Sequence, residues 1–266
     1  MLIRRVSGPA RDGNVSMNPG VVGDNEELRT IFDADQADRR GGDLTGDPQA
    51  QVARDSTRRS RVQRLLDSGA ATTAADYFHA AMVFQHGGSL AAFRRAHLLA
   101  NRARDLGHPV GAWLAAASFD RWLTTLGRPQ HFGTQFQSAA DGTWILLPID
   151  PATTDDERAA WGVPSLAESV ERARTMSATA PPAAGVNRAP ADPVVVIVSR
   201  DQLAAARPVE FRVAWRDDPM TIPFGGLESL ADGGVVMLRM DGAAEDNGDL
   251  WVRILVADAE DLNLSL

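Results

Sequence analysis

Through the first two thirds of the chain, apolar side chains return every three to four residues, the spacing of one helix face. A first helix follows a cap at Asp24 or Asn25, carries Glu26 and Glu27 in its first turn, and runs to about Arg40 on a stripe of Leu28, Ile31 and Phe32. A second spans about Gln51 to Ser68, with Gly69 just past its end. A third starts after Thr72 or Thr73 and ends near His86, before Gly87-Gly88. A fourth runs from Ser89 to Leu106, and a fifth from Pro109, near its first position, to Leu126; Gly107 and Gly127 follow them. Such short connections predict helices packed antiparallel.

After Gly127 the texture changes. GRPQHFGTQFQ reads as an ordered loop, TWILLPI (143–149) contains a short strand, and residues 155–161 and 165–174 read as two short helices, the second with a Ser165/Glu168 capping box. Residues 178–193 form a Pro/Ala-rich linker. Beyond it the period drops to two, predicting strands at 194–198, 209–215, 235–240 and 250–257, with a short helix capped by Ser199 and Gln202 after the first. The expected fold is mainly α. A flexible tail (1–23) leads into an antiparallel helical bundle or helical-hairpin array (24–177), and the linker leads to a small α+β C-terminal domain (194–266). That domain is near the lower size at which a core stands alone, so docking onto the helices is expected.

Several polar residues sit where the pattern calls for apolar ones. The stripe of the first helix continues into Asp35, Gln36 and Arg39, which is costly in a core unless those groups find partners. They form a frayed, solvated helix end, a buried Arg–Asp pair that fixes packing, or part of a site. In the third helix Gln85 borders the apolar face of Tyr77, Ala80, Ala81 and Phe84. Asp76 and His79 share a neighbouring face, to which His86 returns seven residues after His79, a weak metal pattern in which His97, Asp120 or Asp35 would add a ligand. All five His (79, 86, 97, 108 and 131) lie between residues 79 and 131. In the fifth helix Asp120 continues the stripe of Trp113 and Ala117, with Arg121 beside it, as a structural pair or an anion site. In the loop that follows, Gln130 and Gln135 offer donors and acceptors to a ligand or to the backbone.

Composition narrows the chemistry. The 266 residues carry a formal charge of −8, and 44% are hydrophobic, enough for a substantial core and the wrong sign for a general nucleic-acid binder. There is no Cys and no Lys; all 27 cationic side chains are Arg. Disulfides, thiolate nucleophiles, Cys-bound metals, Schiff bases and a P-loop lysine are therefore excluded. The serine-hydrolase elbow, zinc-protease, dinucleotide and P-loop motifs are missing. Residues 1–17 lack the apolar segment of a secretory signal, and no stretch is long and apolar enough for a membrane span, so a cytoplasmic protein is expected, with Met17 an alternative start.

Six ordered blocks carry a resemblance: DQADR (35–39), DYFHAAMVFQHG (76–87), AHLLANRARDLGH (96–108), WLAAASFDRWL (113–123), GRPQHFGTQF (127–136) and PIDPATTDDERAAWGVPSLAE (148–168). Over residues 28–174 the chain resembles a bacterial family of unknown function that shares D-Q-x-x-R, Q-H-G, D-R and G-x-P-Q-x-Y/F-G-T-Q. Phe132 stands where that family often has Tyr, and residues after the linker lie outside the resemblance. The resemblance implies a site at Asp35, Gln36, Arg39, Gln85, His86, Asp120, Arg121, Gln130 and Gln135 and names no reaction or cofactor.

Two functions compete. In one, the chain is an enzyme: His86 or His79 is the general acid–base, Asp35 or Asp120 orients it, Arg39 or Arg121 holds a substrate anion, Gln36 and Gln85 line the site, and Gln130 and Gln135 position polar groups. Its substrate is a small polar or anionic molecule, and metal assistance through Asp76, His79 and His86 is the variant. In the other, the helices form a binding module of helical-repeat texture, the polar residues are an internal network, and residues 194–266 engage a protein partner. An enzyme gathers Asp35, His86, Asp120 and Gln135 around one open cavity; a scaffold closes them into matched pairs.

Overall fold

The computed structural model describes residues 23–40, 48–138, 142–179, 194–212, 219–222, 230, 235–240 and 250–266. Most of the expected tail, the Gly-rich break after Arg40 and the linker from residue 180 onward lie outside the described residues. The fold is a mainly α-helical array followed by a few small strands.

Local polar chemistry sets the helix starts. Helix α1 (Glu26–Arg40) is capped by Asn25, whose side-chain oxygen accepts the Leu28 amide at 2.9 Å. Helix α2 is Pro48–Asp67. Helix α3 (Ala74–Gln85) opens with a capping box between Thr73 and Asp76. Helix α4 (Leu90–Asp105) is capped by Ser89. Gly69, Gly88, Gly107 and Gly127 all adopt positive φ and reverse the chain after successive helices. Helix α5 (Gly111–Thr125) begins later than the sequence predicts: Val110, with no side-chain cap, precedes it and Pro109 lies outside. The chain makes a close approach there, since a Cβ on Gly111 would stand 2.6 Å from the Arg104 backbone nitrogen. The α4–α5 turn therefore needs a glycine at that point.

Helices α3, α4 and α5 pack in succession, with α1 and α2 laid against α3. Their core contains Leu28, Val62, Ala80, Val83, Ala96, Leu99 and Leu114. The many alanines let α4 and α5 approach closely. Strands β1 (Phe136–Ser138) and β2 (Trp144–Leu146) form an antiparallel hairpin. Helix α6 (Asp155–Ala160) is followed by α7 (Leu166–Thr179), with the Ser165/Glu168 box at its start. Helix α7 continues past its expected end because Ser177 is tied to β2, accepting the Trp144 amide at 2.7 Å.

Downstream come β3 (Val194–Val198), α8 (Arg200–Ala204) with the Ser199/Gln202 box, β4 (Val209–Phe211), β5 (Met220–Ile222), β6 (Val235–Met240) and β7 (Leu250–Val256). Strand β7 is central, parallel to β3 and antiparallel to β6. Strand β4 covers the start of the expected strand, of which residues 213–215 lie outside the described residues, and β5, unforeseen in the sequence, pairs with it. Alternation splits the sheet between two cores. Val196, Val198, Val252, Ile254 and Val256 fill the small domain. Val195 and Leu255 face the other way and pack with Phe93, Phe119 and Trp122. Trp122 Nε1 donates to the Asp261 carbonyl at 2.7 Å, and Arg253 donates to the Thr124 carbonyl at 3.1 Å. The expected docking is thus made through α5. No helix among the described residues is long and apolar enough to cross a membrane.

Gly111→Ala tests the α4–α5 approach. Alanine is the better helix former by about 1 kcal/mol. The backbone clash outweighs that, and chemical denaturation is expected to show a net loss of about 1–3 kcal/mol.

Candidate functional site

Helix α5 presents three faces. Leu114, Ala117 and Arg121, at helical spacing, line a cavity of about 300 Å³. Phe119 and Trp122 turn toward the C-terminal strands. Asp120 turns to the loop that follows the helix. The cavity is closed by Gln85 and His86 at the end of α3, by Thr134 and Gln135 of the loop, by Phe136 and Trp144 of the hairpin, and by Ser169 and Arg172 of α7.

His86 and Asp35 meet here from positions 51 residues apart, with His86 Nδ1 2.8 Å from Asp35 Oδ2. The carboxyl group is buried and the imidazole half-buried. With Nδ1 held, Nε2 is the ring nitrogen left to a ligand; it makes no hydrogen bond among the described residues. Asp35 is held in turn by the Gln36 amide at 3.0 Å and lies 3.5 Å from Arg39. Arg39 pairs with Asp55 at 2.9 Å, and Arg58 joins Asp55 to Asp38 at 3.1 and 2.7 Å. This lattice ties α1 to α2 and fixes the carboxylate behind His86. Gln36 and Arg39 are therefore one step removed from the cavity.

Arg121 is the cation of the cavity. Its Nε donates to Gln135 Oε1 at 3.1 Å and its Nη1 to the Gln85 carbonyl at 2.8 Å. Neither acceptor is charged, and among the described residues no carboxylate lies within ion-pair distance. Burial, and then repulsion from Arg39, lower its pKa from an ordinary arginine's. Gln135 is held by the Ala117 carbonyl and Thr134 Oγ1 at 3.2 and 2.9 Å, so it positions the guanidinium. The side-chain oxygen of buried Gln85 has no hydrogen-bond partner.

Two other residues of the sequence-derived set are structural in this geometry. Asp120 is fully buried and accepts four hydrogen bonds, from the amides of His131, Phe132 and Thr134 and from the Thr134 hydroxyl, at 2.7–2.9 Å. Burial raises its pKa and these donors oppose the rise. Gln130 spans the same loop, donating to the Gln135 and Leu147 carbonyls and accepting the Gln135 amide. Neither lines the cavity. The sequence criterion is split: His86 and Gln135 face the cavity, Asp35 backs His86, and Asp120 is closed off.

The metal variant is not assembled. Asp76 accepts the amides of Asn25, Thr72 and Thr73 at 2.6–3.0 Å, and these bonds outweigh burial to lower its pKa. His79 stacks on Phe32 with ring centres 4.6 Å apart, and His86 turns to Asp35. No group of three metal-ligating side chains converges among the described residues. The remaining His are likewise engaged: His97 bridges the Ala115 carbonyl and Asn101, His108 stacks on Phe78, and His131 meets Glu157 at 2.8 Å.

Sequence reasoning missed Arg158 of α6. It is buried and donates to the carbonyls of Phe132 and Thr153 and to Asp155, holding the loop from behind. It also missed Trp144, Ser169 and Arg172, which line the cavity from segments with no polar anomaly. No family model matches the chain, and no curated protein or solved structure matches it.

Asp120→Asn replaces an all-acceptor group with one that turns an NH2 toward backbone donors. A loss of about 3 kcal/mol is expected in chemical denaturation, with the Arg121 site disordered alongside. A second expectation concerns pH. His79, His97 and His108 all have pKa values lowered from 6.5, chiefly by burial. The unfolded chain then takes up protons first, so stability is present above 6.5 and lost as pH falls below it. The urea midpoint is expected to be lower at pH ~5.5 than at ~7.5.

Proposed function

We propose that the chain is an enzyme performing non-covalent acid–base chemistry on a small anionic substrate. His86 transfers the proton through Nε2, Asp35 orients the ring, and Arg121 holds the anion. The observation that carries this reading is the convergence of the Asp35–His86 pair and a carboxylate-free, partly buried guanidinium on one cavity. A histidine backed by a buried carboxylate is suited to proton transfer near neutral pH.

Charge supports the same reading. The chain is acidic overall, yet the cavity lining has two arginines and no Asp or Glu. Arg172, exposed at the margin, adds positive potential for an approaching anion. A nucleophilic mechanism has less support. No hydroxyl is hydrogen-bonded to His86 among the described residues, and Thr134 Oγ1 is occupied by Asp120 and Gln135. The scaffold reading accounts for Asp120 and Gln130 but gives no purpose to an Arg121 guanidinium that lines the cavity with no carboxylate beside it among the described residues. The family resemblance over residues 28–174 and a cytoplasmic location belong to this proposal and add no reaction.

The test separates binding from turnover. In thermal-shift and turnover screens with small phosphates and carboxylic acids, wild type is expected to be stabilised by anions, and Arg121→Gln to lose that response. His86→Gln keeps the binding response and loses any turnover by ~100-fold or more. If no anion stabilises wild type, or Arg121→Gln responds unchanged, the reading fails.

A further inference from the structure

The cavity carries two cations, and a single anionic group needs only one of them. Ser169, Arg172 and Met176 recur along α7 at helical spacing, so one face of that helix forms a wall of the cavity. Among the described residues Arg172 has no carboxylate within ion-pair distance. Its guanidinium carbon lies 5.7 Å from the centre of the Phe136 ring. The other charges of α7 are engaged differently. Arg174 pairs with Glu171 at 3.2 Å, and Glu168 turns back to Ser165. Arg172 uses neither glutamate.

Arg121 and Arg172 meet consecutive residues of the chain. Gln135 Oε1 accepts Arg121 Nε, and the ring of Phe136 lies against Arg172. The two cations are nevertheless not side by side. They rise from different helices, and the cation whose repulsion Arg121 feels is Arg39. The remaining lining is largely apolar, with Met82, Trp113, Phe136, Trp144 and Met176 and no Asp or Glu. The volume of about 300 Å³ is far more than a bare phosphate or a two-carbon acid fills. Such a lining suits two separated negative groups joined by an apolar body.

We propose that this cavity binds a dianion built on an apolar frame, one anionic end held by Arg121 and the other by Arg172. The proposal rests on the anion-binding reading above and narrows it to a chemical class. Arg172 becomes a second anchor that sets specificity, and its role goes beyond attracting an approaching charge. A monoanion on Arg121 leaves Arg172 without a counter-ion. A second carboxylate or a phosphate at the far end of the frame gives both guanidinium groups charge-assisted hydrogen bonds.

Calorimetric titration of the full chain at neutral pH and low salt tests this with pairs of probes that differ by one charge. The pairs are 1,4-phenylenediacetate with 4-methylphenylacetate, and adipate with hexanoate; their frames differ in length. In at least one pair the dianion is expected to bind ~5-fold or more tightly than the monoanion. Arg172 is exposed, so Arg172→Gln is expected to melt as wild type does, to abolish that advantage and to leave the monoanion affinity unchanged. Arg174→Gln removes the same charge from the same helix outside the cavity and is expected to keep the advantage. If neither dianion outbinds its monoanion, or Arg172→Gln keeps the advantage, the second anchor is overturned and the anion site at Arg121 stands. It is also overturned if Arg174→Gln abolishes the advantage, which would then be long-range attraction. If none of the four probes binds, the anion-binding reading and this inference fall together.

Discussion

Asp120 and Arg121 are adjacent on α5, opposite in charge, and do not pair. About 100° of helical rotation sends the carboxylate to the loop and the guanidinium to the cavity. Asp120 spends its acceptor capacity on four donors between residues 131 and 134, which sets where Gln135 stands. Gln135 in turn aims Arg121. The geometry of the cation thus begins at a buried carboxylate that never reaches the cavity. An Asp120–Arg121 pair would satisfy both charges and leave neither a loop nor a site.

Partial burial without a counter-ion defines the other half of the arrangement. A guanidinium among neutral oxygens retains most of its positive field, because carbonyl and amide groups solvate it without cancelling its charge. On the facing wall the charge logic is reversed. Asp35 is buried behind His86 and steadied by an arginine lattice that extends into α2. Its negative charge reaches the cavity only through the imidazole. One wall offers a fixed positive group and the other a ring able to exchange a proton. Water in a partly enclosed apolar chamber screens neither strongly.

How much of this the sequence disclosed depended on how local each cause is. The caps at Thr73, Ser89, Ser165 and Ser199 act within four residues, and they were legible together with the helices they start. The polar breaks in the apolar stripes drew attention to Asp35 and Asp120, and both are buried. Partnership was not legible: nothing in the pattern distinguishes a carboxylate that backs a histidine from one that clamps a loop, since both interrupt a stripe in the same way. Gln130 and Gln135 looked alike, and only the fold separates a loop cross-link from a residue at the cavity wall. Arg158 escaped notice because α6 is short and otherwise acidic, the composition of a solvated surface helix. Strand β5 was not legible because three residues are too few to show an alternating pattern, and its pairing with β4 is set by the fold.

The three-sided use of α5 constrains how this chain can change. Within 15 residues the helix serves the cavity, the loop clamp and the seat of the C-terminal strands, and nine of those residues are buried. A replacement that suits one neighbour disturbs another one or two positions away. Divergence is therefore cheapest at the outer helices and hairpin tips, and slowest along this shared axle. The two halves of the chain, unlike in composition and architecture, are bound to a joint history: neither can be exchanged for a foreign module unless the replacement fits the same fifteen positions.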